Sequence, residues 1–490
     1  MSDSLNIKAA SATKWSLLTE VLVKIVSPIT QLILARILAP EAFGVVATVT
    51  MVTSFADMFS DSGFQKYLVQ HEFSDRGALY RNANVAFWTN LAVSVVMWAL
   101  IAVFQDPLAA LVGNPGLGFA LVVACASLPM TSFSSIQLAI FKRDLDFKSL
   151  LPIRTIAAFI PLVVTLPLAL LGMDYWSLII GTIIGNLLNA VALTAKSQWK
   201  PRFFYSWQLL KEMFAFSGWS LLEAIAIWLT SWAGTFVVGG LLNSYYLGLY
   251  KQPMTFVNSA FALVTNATTP VLFSSLSKLQ NDGAEFRQFF YKFQFNVGMF
   301  VLPLGVGIFF FRDFLTNLLL GDAWGEASLM FGCWGLSTGL MIVFAHYCSE
   351  IFRSKGKPRV SLVCQCLYML VMVPTLYVSA SLGFTVLVIA NAAVRLVGIV
   401  IDQIAARKVA GISFINVVRG LKTPLLGSAV MGAFAWFVVG FVGSSWALNG
   451  VAVVACMIVY TAACAIFPDG RTFLRKLAGG RFARKKEQTH

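Results

Sequence analysis

The chain is 490 residues long, 58% hydrophobic and only 12% charged, with a net charge of +14 and a mean hydropathy of +0.77. A soluble domain carries about 25% charged residues, so the composition excludes a soluble enzyme and defines a polytopic membrane protein. A nucleic-acid partner is excluded as well, because the basic residues sit in short loops and in the C-terminal tail rather than on one folded face.

Residues 1–14 read as a short polar cytoplasmic segment with no cleavable signal. Fourteen apolar runs follow, each near the ~20 residues that cross a hydrocarbon core. They cover 15–37, 43–67, 83–104, 117–140, 152–171, 175–195, 214–239, 247–272, 287–311, 328–351, 360–380, 383–404, 423–442 and 446–467. The expected fold is therefore an all-α polytopic membrane protein of fourteen transmembrane helices.

The first span carries Glu20, Lys24, Ser27 and Gln31 on one helical face. A charge inside an apolar span is costly and usually functional. Lys24 lies about ten residues from the cytoplasmic end, near mid-membrane at ~1.5 Å per residue. Glu20 and Lys24 are also placed to pair with each other and simply hold the helix in its bundle. The second span shows a similar wet face in Thr50, Thr53, Ser54, Asp57, Asp61 and Gln65. Prolines inside spans (Pro28, Pro129, Pro161, Pro167, Pro270, Pro303 and Pro374) predict bends, and Gly181 with Gly185 forms a GxxxG packing motif. The link 196–213 reads as an amphipathic surface segment.

Beyond that link the chain repeats itself. At an offset of 204 residues, Trp15, Ser16, Leu17, Leu18, Ser27, Leu38 and Gly44 fall on Trp219, Ser220, Leu221, Leu222, Ser231, Leu242 and Gly248 without a gap. Gly77, Ala78 and Arg81 match Gly283, Ala284 and Arg287 at an offset of 206. Spans 1–6 (15–195) and 7–12 (214–404) then form two bundles. Six spans is an even number, so the repeats are parallel about a pseudo-two-fold axis along the membrane normal. A loop with helices 13 and 14 (405–467) and a basic tail (468–490) lie outside the repeat.

In the second half, Glu223 lies at the level of Lys24, and span 8 carries Thr255, Asn258, Ser259, Asn266 and Thr269. Two wet helices, one from each bundle, are expected to enclose a polar chamber. Arg395 in span 12 is as deep as Lys24, with Asn391 one turn away. Lys24 and Arg395 are the candidates for holding an anionic head group. Glu20, Asp57, Glu223, Gln31, Asn258 and Asn391 are candidates for lining the cavity or coupling to an ion. His346 is expected to be a packed histidine, and Asp61 and Asp402 to be caps or loop ion pairs.

Of the 36 Lys and Arg residues, 24 lie before span 1 or in even-numbered loops, and seven more lie in the tail. The positive-inside rule places both termini in the cytoplasm, and the tail against anionic lipid head groups. Neither a Walker A loop nor an HExxH nor a nucleophile elbow occurs, so no catalytic residue or cofactor is expected. The seven cysteines lie in apolar runs and read as buried side chains rather than metal ligands.

Several stretches carry a family resemblance: Leu34-Ala35-Arg36-Ile37-Leu38-Ala39-Pro40-Glu41-Ala42-Phe43-Gly44, Asp61-Ser62-Gly63 with Leu68-Val69-Gln70, Arg143-Asp144-Leu145-Asp146-Phe147-Lys148, and Pro270-Val271-Leu272-Phe273 with Ser277-Lys278-Leu279-Gln280. In their order and spacing the chain resembles the Wzx-type (WzxC-like) polysaccharide flippases of the multidrug/oligosaccharidyl-lipid/polysaccharide exporter superfamily, from about Ala12 to Ile412. The resemblance implies a MATE-like transporter of the bacterial inner membrane. It would flip polyprenyl-pyrophosphate-linked oligosaccharide to the periplasmic leaflet for exopolysaccharide, capsule or O-antigen (lipopolysaccharide) assembly. H+ or Na+ would be the coupling ions and a polysaccharide polymerase a partner. Gly240 and the Ala233–Gly234 pair stand where the family's second repeat usually has an Arg and often an Asp, so a mechanism built on those side chains is not expected here. A cation-coupled drug antiporter fits the fold less well, given Lys24 and Arg395. A membrane-embedded polymerase or glycosyltransferase would need a long loop that this chain lacks.

Overall fold

A chain can cross hydrocarbon only if its backbone hydrogen bonds close within the segment, and every regular element among the described residues is a helix. The computed structural model describes the backbone of Trp15, Val26 and residues 28–61, 63–443 and 445–487, and the side chains of all these except 60–61, 215–223 and 478–487. The principal helices are α1 (Pro28–Ile37), α2 (Pro40–Asp61), α3 (Phe64–Gln70), α4 (Arg76–Val103), α5 (Gly118–Arg143), α6 (Phe147–Leu170), α7 (Tyr175–Lys196) and α8 (Trp207–Leu241). They continue with α9 (Ser244–Lys278), α10 (Gly283–Phe310), α11 (Asp322–Ser354), α12 (Pro358–Ser381), α13 (Phe384–Ala410), α14 (Lys422–Val442), α15 (Trp446–Ile466) and α16 (Pro468–Glu487).

Among the described residues 13 helices are long and apolar enough to cross a membrane, and each coincides with one expected span. The remaining expected span, 15–37, is represented by the short apolar helix α1; residues 16–25 and 27 lie outside the described residues. The fold divides into two compact units, one ending at Lys251 and the other beginning at Gln252.

In the first unit the repeat becomes physical contact. A Cβ added to Gly44 would lie 1.8 Å from the carbonyl oxygen of Ser244, and one added to Gly248 would lie 1.9 Å from that of Pro40. Pro40 and Ser244, like Gly44 and Gly248, are 204 residues apart. The first turns of α2 and α9 therefore cross backbone to backbone as repeat mates. Asn114 secures the crossing: its Nδ2 donates to Thr48 Oγ1 at 2.8 Å, and its Oδ1 accepts from the Ser244 hydroxyl. Further along, α4 and α10 each run 28 residues from an aspartate cap, Asp75 and Asp282.

Arg143 closes the other end of this unit. Its Nη1 donates to the carbonyls of Leu68 (2.8 Å), Val69 (3.3 Å) and His71 (2.6 Å), where α3 ends. Its guanidinium carbon sits 4.8 Å from the Phe73 ring centre. A cation at a helix C-terminus also meets the negative end of the macrodipole. Arg143→Ala is expected to cost about 2 kcal/mol, read as a lowered thermal unfolding midpoint in detergent; an unchanged midpoint would make the contact incidental.

The segment after α7 is fastened on one side and open on the other. Trp199 is buried in a cluster with Phe87, Leu210 and Met213. The Arg202 amide donates to Asn84 Oδ1 at 2.9 Å, and Trp88 Nε1 donates to the Arg202 carbonyl at 2.9 Å. Phe203, Tyr205 and Trp207 are exposed, beside Lys200 and Arg202, which is the composition of a strap lying at a lipid interface.

In the second unit α14 and α15 share a core with α10, where Tyr460 donates to the Met299 carbonyl at 2.8 Å. Two spans contain a π turn, Pro161–Thr165 in α6 and Ile342–His346 in α11. The Thr165 hydroxyl lies where a Cβ on Gly181 would be, at 1.9 Å, so the first glycine of the GxxxG pair seats α7 on α6. Five cysteines are buried as expected, but Cys366 is exposed and Cys333 only partly covered.

Candidate functional site

The second unit encloses a cavity of about 380 Å³, lined by side chains from α9, α11, α12 and α13. Arg395, one turn beyond the buried Asn391 on α13, supplies its positive charge. The guanidinium carbon sits 3.7 Å from the centre of the Trp334 ring. Trp334 Nε1 in turn donates to Asn258 Oδ1 at 2.9 Å. A guanidinium is planar and carries five N–H donors, which suits bidentate recognition of phosphate or carboxylate.

The rest of the lining mixes hydroxyl, amide and imidazole groups with the apolar side chains of Phe261, Ala262, Met341, Ile342 and Ala345. Thr265, Thr338, Ser349, Ser361 and Gln365 contribute, with Asp402 two turns along α13 from Arg395, about 10 Å at ~1.5 Å per residue. The Cys364 thiol hydrogen-bonds Asp402. His346 Nε2 lies 3.4 Å from Thr269 Oγ1, and Ser349 Oγ donates to the His346 carbonyl at 2.9 Å. Such a site can take a charged head group at Arg395 and hydroxyl-rich groups along the remaining wall.

Of the residues expected to form a site, the structure brings Arg395 and Asn258 together through Trp334. Asn391 is buried and does not line the cavity. Gln31 and Asp57 belong to the first unit, where Asp57 Oδ1 accepts from Thr131 Oγ1 at 2.7 Å. Glu20 and Lys24, and the side chain of Glu223, lie outside the described residues. Two expectations are corrected. His346 is exposed to the cavity rather than packed, because a π turn sets its direction. Asp402 lines the cavity rather than capping a helix, because α13 continues to Ala410 and leaves it well inside. Trp334 and Gln365 had no distinguishing signal. The spacing of Arg395 and Asp402 (seven residues, one face) was the available clue to the second charge.

The wet face of α2 is partly self-satisfied, since Thr53 and Ser54 hydroxyls donate to the carbonyls of Thr50 and Met51. Ser54 also accepts from Trp228 Nε1 at 3.0 Å. Ser54 and Asn258 are repeat mates, 204 residues apart, and each accepts from an indole on another helix.

This architecture defines a multi-pass helical membrane protein with an arginine-bearing cavity among its helices. The chain belongs to the polysaccharide biosynthesis protein family, whose profile matches residues 33–329. It is 27% identical over 344 residues to the succinoglycan biosynthesis transport protein ExoT of Rhizobium meliloti (strain 1021), spanning 70% of this chain and 68% of that one. It is 22% identical over 329 residues to the lipopolysaccharide biosynthesis protein WzxC of Escherichia coli (strain K12), spanning 66% and 65%. The fold matches the lipid II flippase MurJ in an inward closed conformation with a TM-score of 0.75 at 12% identity, over 93% of this chain and 98% of that one. It also matches a multidrug resistance MATE family transporter of the MOP superfamily, inward-facing, with a TM-score of 0.59 at 14% identity, over 82% and 96%.

Proposed function

We propose that the protein flips a polyprenyl-pyrophosphate-linked oligosaccharide from the cytoplasmic to the periplasmic leaflet of the bacterial inner membrane, by alternating access, in exopolysaccharide, capsule or O-antigen assembly. The observation that carries this reading is Arg395, held over the Trp334 ring in a cavity that also presents hydroxyl and amide groups. A diphosphate is prohibitively costly to move through hydrocarbon alone, and a planar cation inside a polar chamber offsets that cost through charge-assisted hydrogen bonds. Family membership and the transport and flippase names of the relatives support the same reading. In this scheme Arg395 takes the diphosphate, and Gln365, Ser361 and Ser349 face the first sugars. Lys24 is a second head-group contact, while Glu20, Asp57 and Glu223 are sites for a coupling H+ or Na+. A polysaccharide polymerase receives the product, and both termini lie in the cytoplasm by the positive-inside rule. A cation-coupled drug antiporter is the rival reading, and the guanidinium of Arg395 in the cavity wall disfavours it.

Deleting the gene and resolving lipid-linked sugars by leaflet tests the proposal. Complete, unpolymerised repeat units should accumulate on the cytoplasmic side. An unchanged distribution would refute it, and failure to make the units at all would point to an enzyme.

A further inference from the structure

α11 is not one continuous α-helix. It is α-helical over Ser328–Met341, makes a π turn over Ile342–His346, and resumes as α-helix over Cys348–Ser354. A π turn holds one residue more than an α turn, so everything after it is rotated by about 100° relative to an uninterrupted helix. The wide turn also deprives carbonyls of their usual donors, a cost of about 1–3 kcal/mol for each buried group left unmet.

Two carbonyls of this turn accept side-chain amides from other helices, and that of Phe344 also accepts from the Cys348 thiol at 3.6 Å. Gln294 on α10 donates its Nε2 to the Val343 carbonyl at 2.8 Å. Gln403 on α13 donates its Nε2 to the Phe344 carbonyl, next in sequence. Both glutamines are buried, at 1% and 4% exposure. A buried primary amide in an apolar span is itself expensive, and here two of them converge on one turn. Their common effect is directional. After the turn, Tyr347, Cys348, Ile351 and Phe352 are buried, while His346 and Ser349 line the cavity with Arg395. If the same residues ran as an uninterrupted α-helix, the buried stripe and the cavity stripe of this segment could not both keep their places.

We propose that Gln294 and Gln403 are positioning residues for head-group binding: they hold the π turn open, and the turn aims His346 and Ser349 into the Arg395 cavity. This rests on the reading of that cavity as the head-group site. Neither glutamine touches the substrate.

The test combines three alterations in the full-length protein with its native cysteines replaced. A thiol is introduced by His346→Cys or, as a buried control, Val343→Cys, and its reaction with a membrane-impermeant methanethiosulfonate is timed. With both glutamines present, position 346 should react and position 343 should not. With Gln294→Leu and Gln403→Leu together, position 346 should react about tenfold more slowly, the equivalent of losing roughly one hydrogen bond. Equal rates at position 346 in both backgrounds, in monodisperse protein, would overturn the proposal. The third alteration deletes Val343, removing the additional residue and leaving both flanking segments in register. In the double-leucine background this deletion should restore thermal stability, or membrane accumulation if the double variant is lost, and with it much of the export, because His346 and Ser349 keep their directions. Failure to restore either would also overturn it. Thiol reactivity is measured without substrate, so it stands apart from the head-group reading. Protection of the thiol at position 346 by inorganic pyrophosphate tests that reading separately.

Discussion

Arg395→Ala is expected to cut export about 30-fold or more while leaving the protein near its normal level in the membrane, since losing a charge-assisted contact to a desolvated diphosphate costs on the order of 2–5 kcal/mol. The level should hold because the charge leaves with the side chain and a methyl group brings no new polar group to bury. The competing account is that Arg395 only packs against Trp334, 3.7 Å away. Arg395→Met separates the two, because it keeps much of the apolar stem over the indole and removes the donors. It should be as inactive as the alanine variant if the guanidinium holds the head group, and close to wild type if packing is its role. Arg395→Lys should fall between, since an ammonium neither stacks flat nor donates from a planar fork. Trp334→Phe should lose less, keeping a ring for the cation and losing only the indole donation to Asn258. The measurement is leaflet-resolved analysis of lipid-linked sugars beside immunodetection of the protein. Wild-type export by the alanine variant would remove Arg395 from the site.

The spans were legible because they are written along the chain: hydropathy marks a crossing. Arg395 was legible for the same reason, as a charge whose depth can be counted in residues. What surrounds it was not. Asp402 reads as interfacial when the span is ended at 404 by hydropathy, yet α13 continues as helix to Ala410, and six further residues carry Asp402 nearly two turns inward. His346 follows Ile342-Val343-Phe344-Ala345 and precedes Tyr347, which makes it look like core. Only the π turn, supported from α10 and α13 by glutamines that sequence gives no reason to pair, turns it outward. Local pattern reports which residues share a helix face. It does not report an additional residue in one turn, or which carbonyls a distant amide will reach.

The crossing of α2 and α9 shows the opposite balance, where the repeat register identified the residues and the structure supplied the reason. Gly44→Val and Gly248→Val are each expected to destabilise the protein by about 3 kcal/mol or more, through loss of membrane accumulation and a lowered unfolding midpoint. A Cβ at either position would sit 1.8 or 1.9 Å from a backbone carbonyl oxygen, against the 3.4–4 Å of ordinary contact, and a carbonyl in a helix cannot swing aside as a side chain can. The first turns must therefore part by more than an ångström, which also strains the Asn114 bonds to Thr48 and Ser244. Gly240→Ala is the control, with nothing within 4 Å of its would-be Cβ, and should be neutral or slightly favourable in a helix. The two valine variants should also be non-additive. Once one side chain has separated the turns, the other enters space already opened, so the double variant should lose clearly less than the sum of the singles. Alanine at both positions gives a milder version of the same cycle if the valine proteins do not accumulate. Strictly additive losses would mean that the two glycines answer to different neighbours, and the repeat-mate crossing would not be the contact that holds these helix ends together.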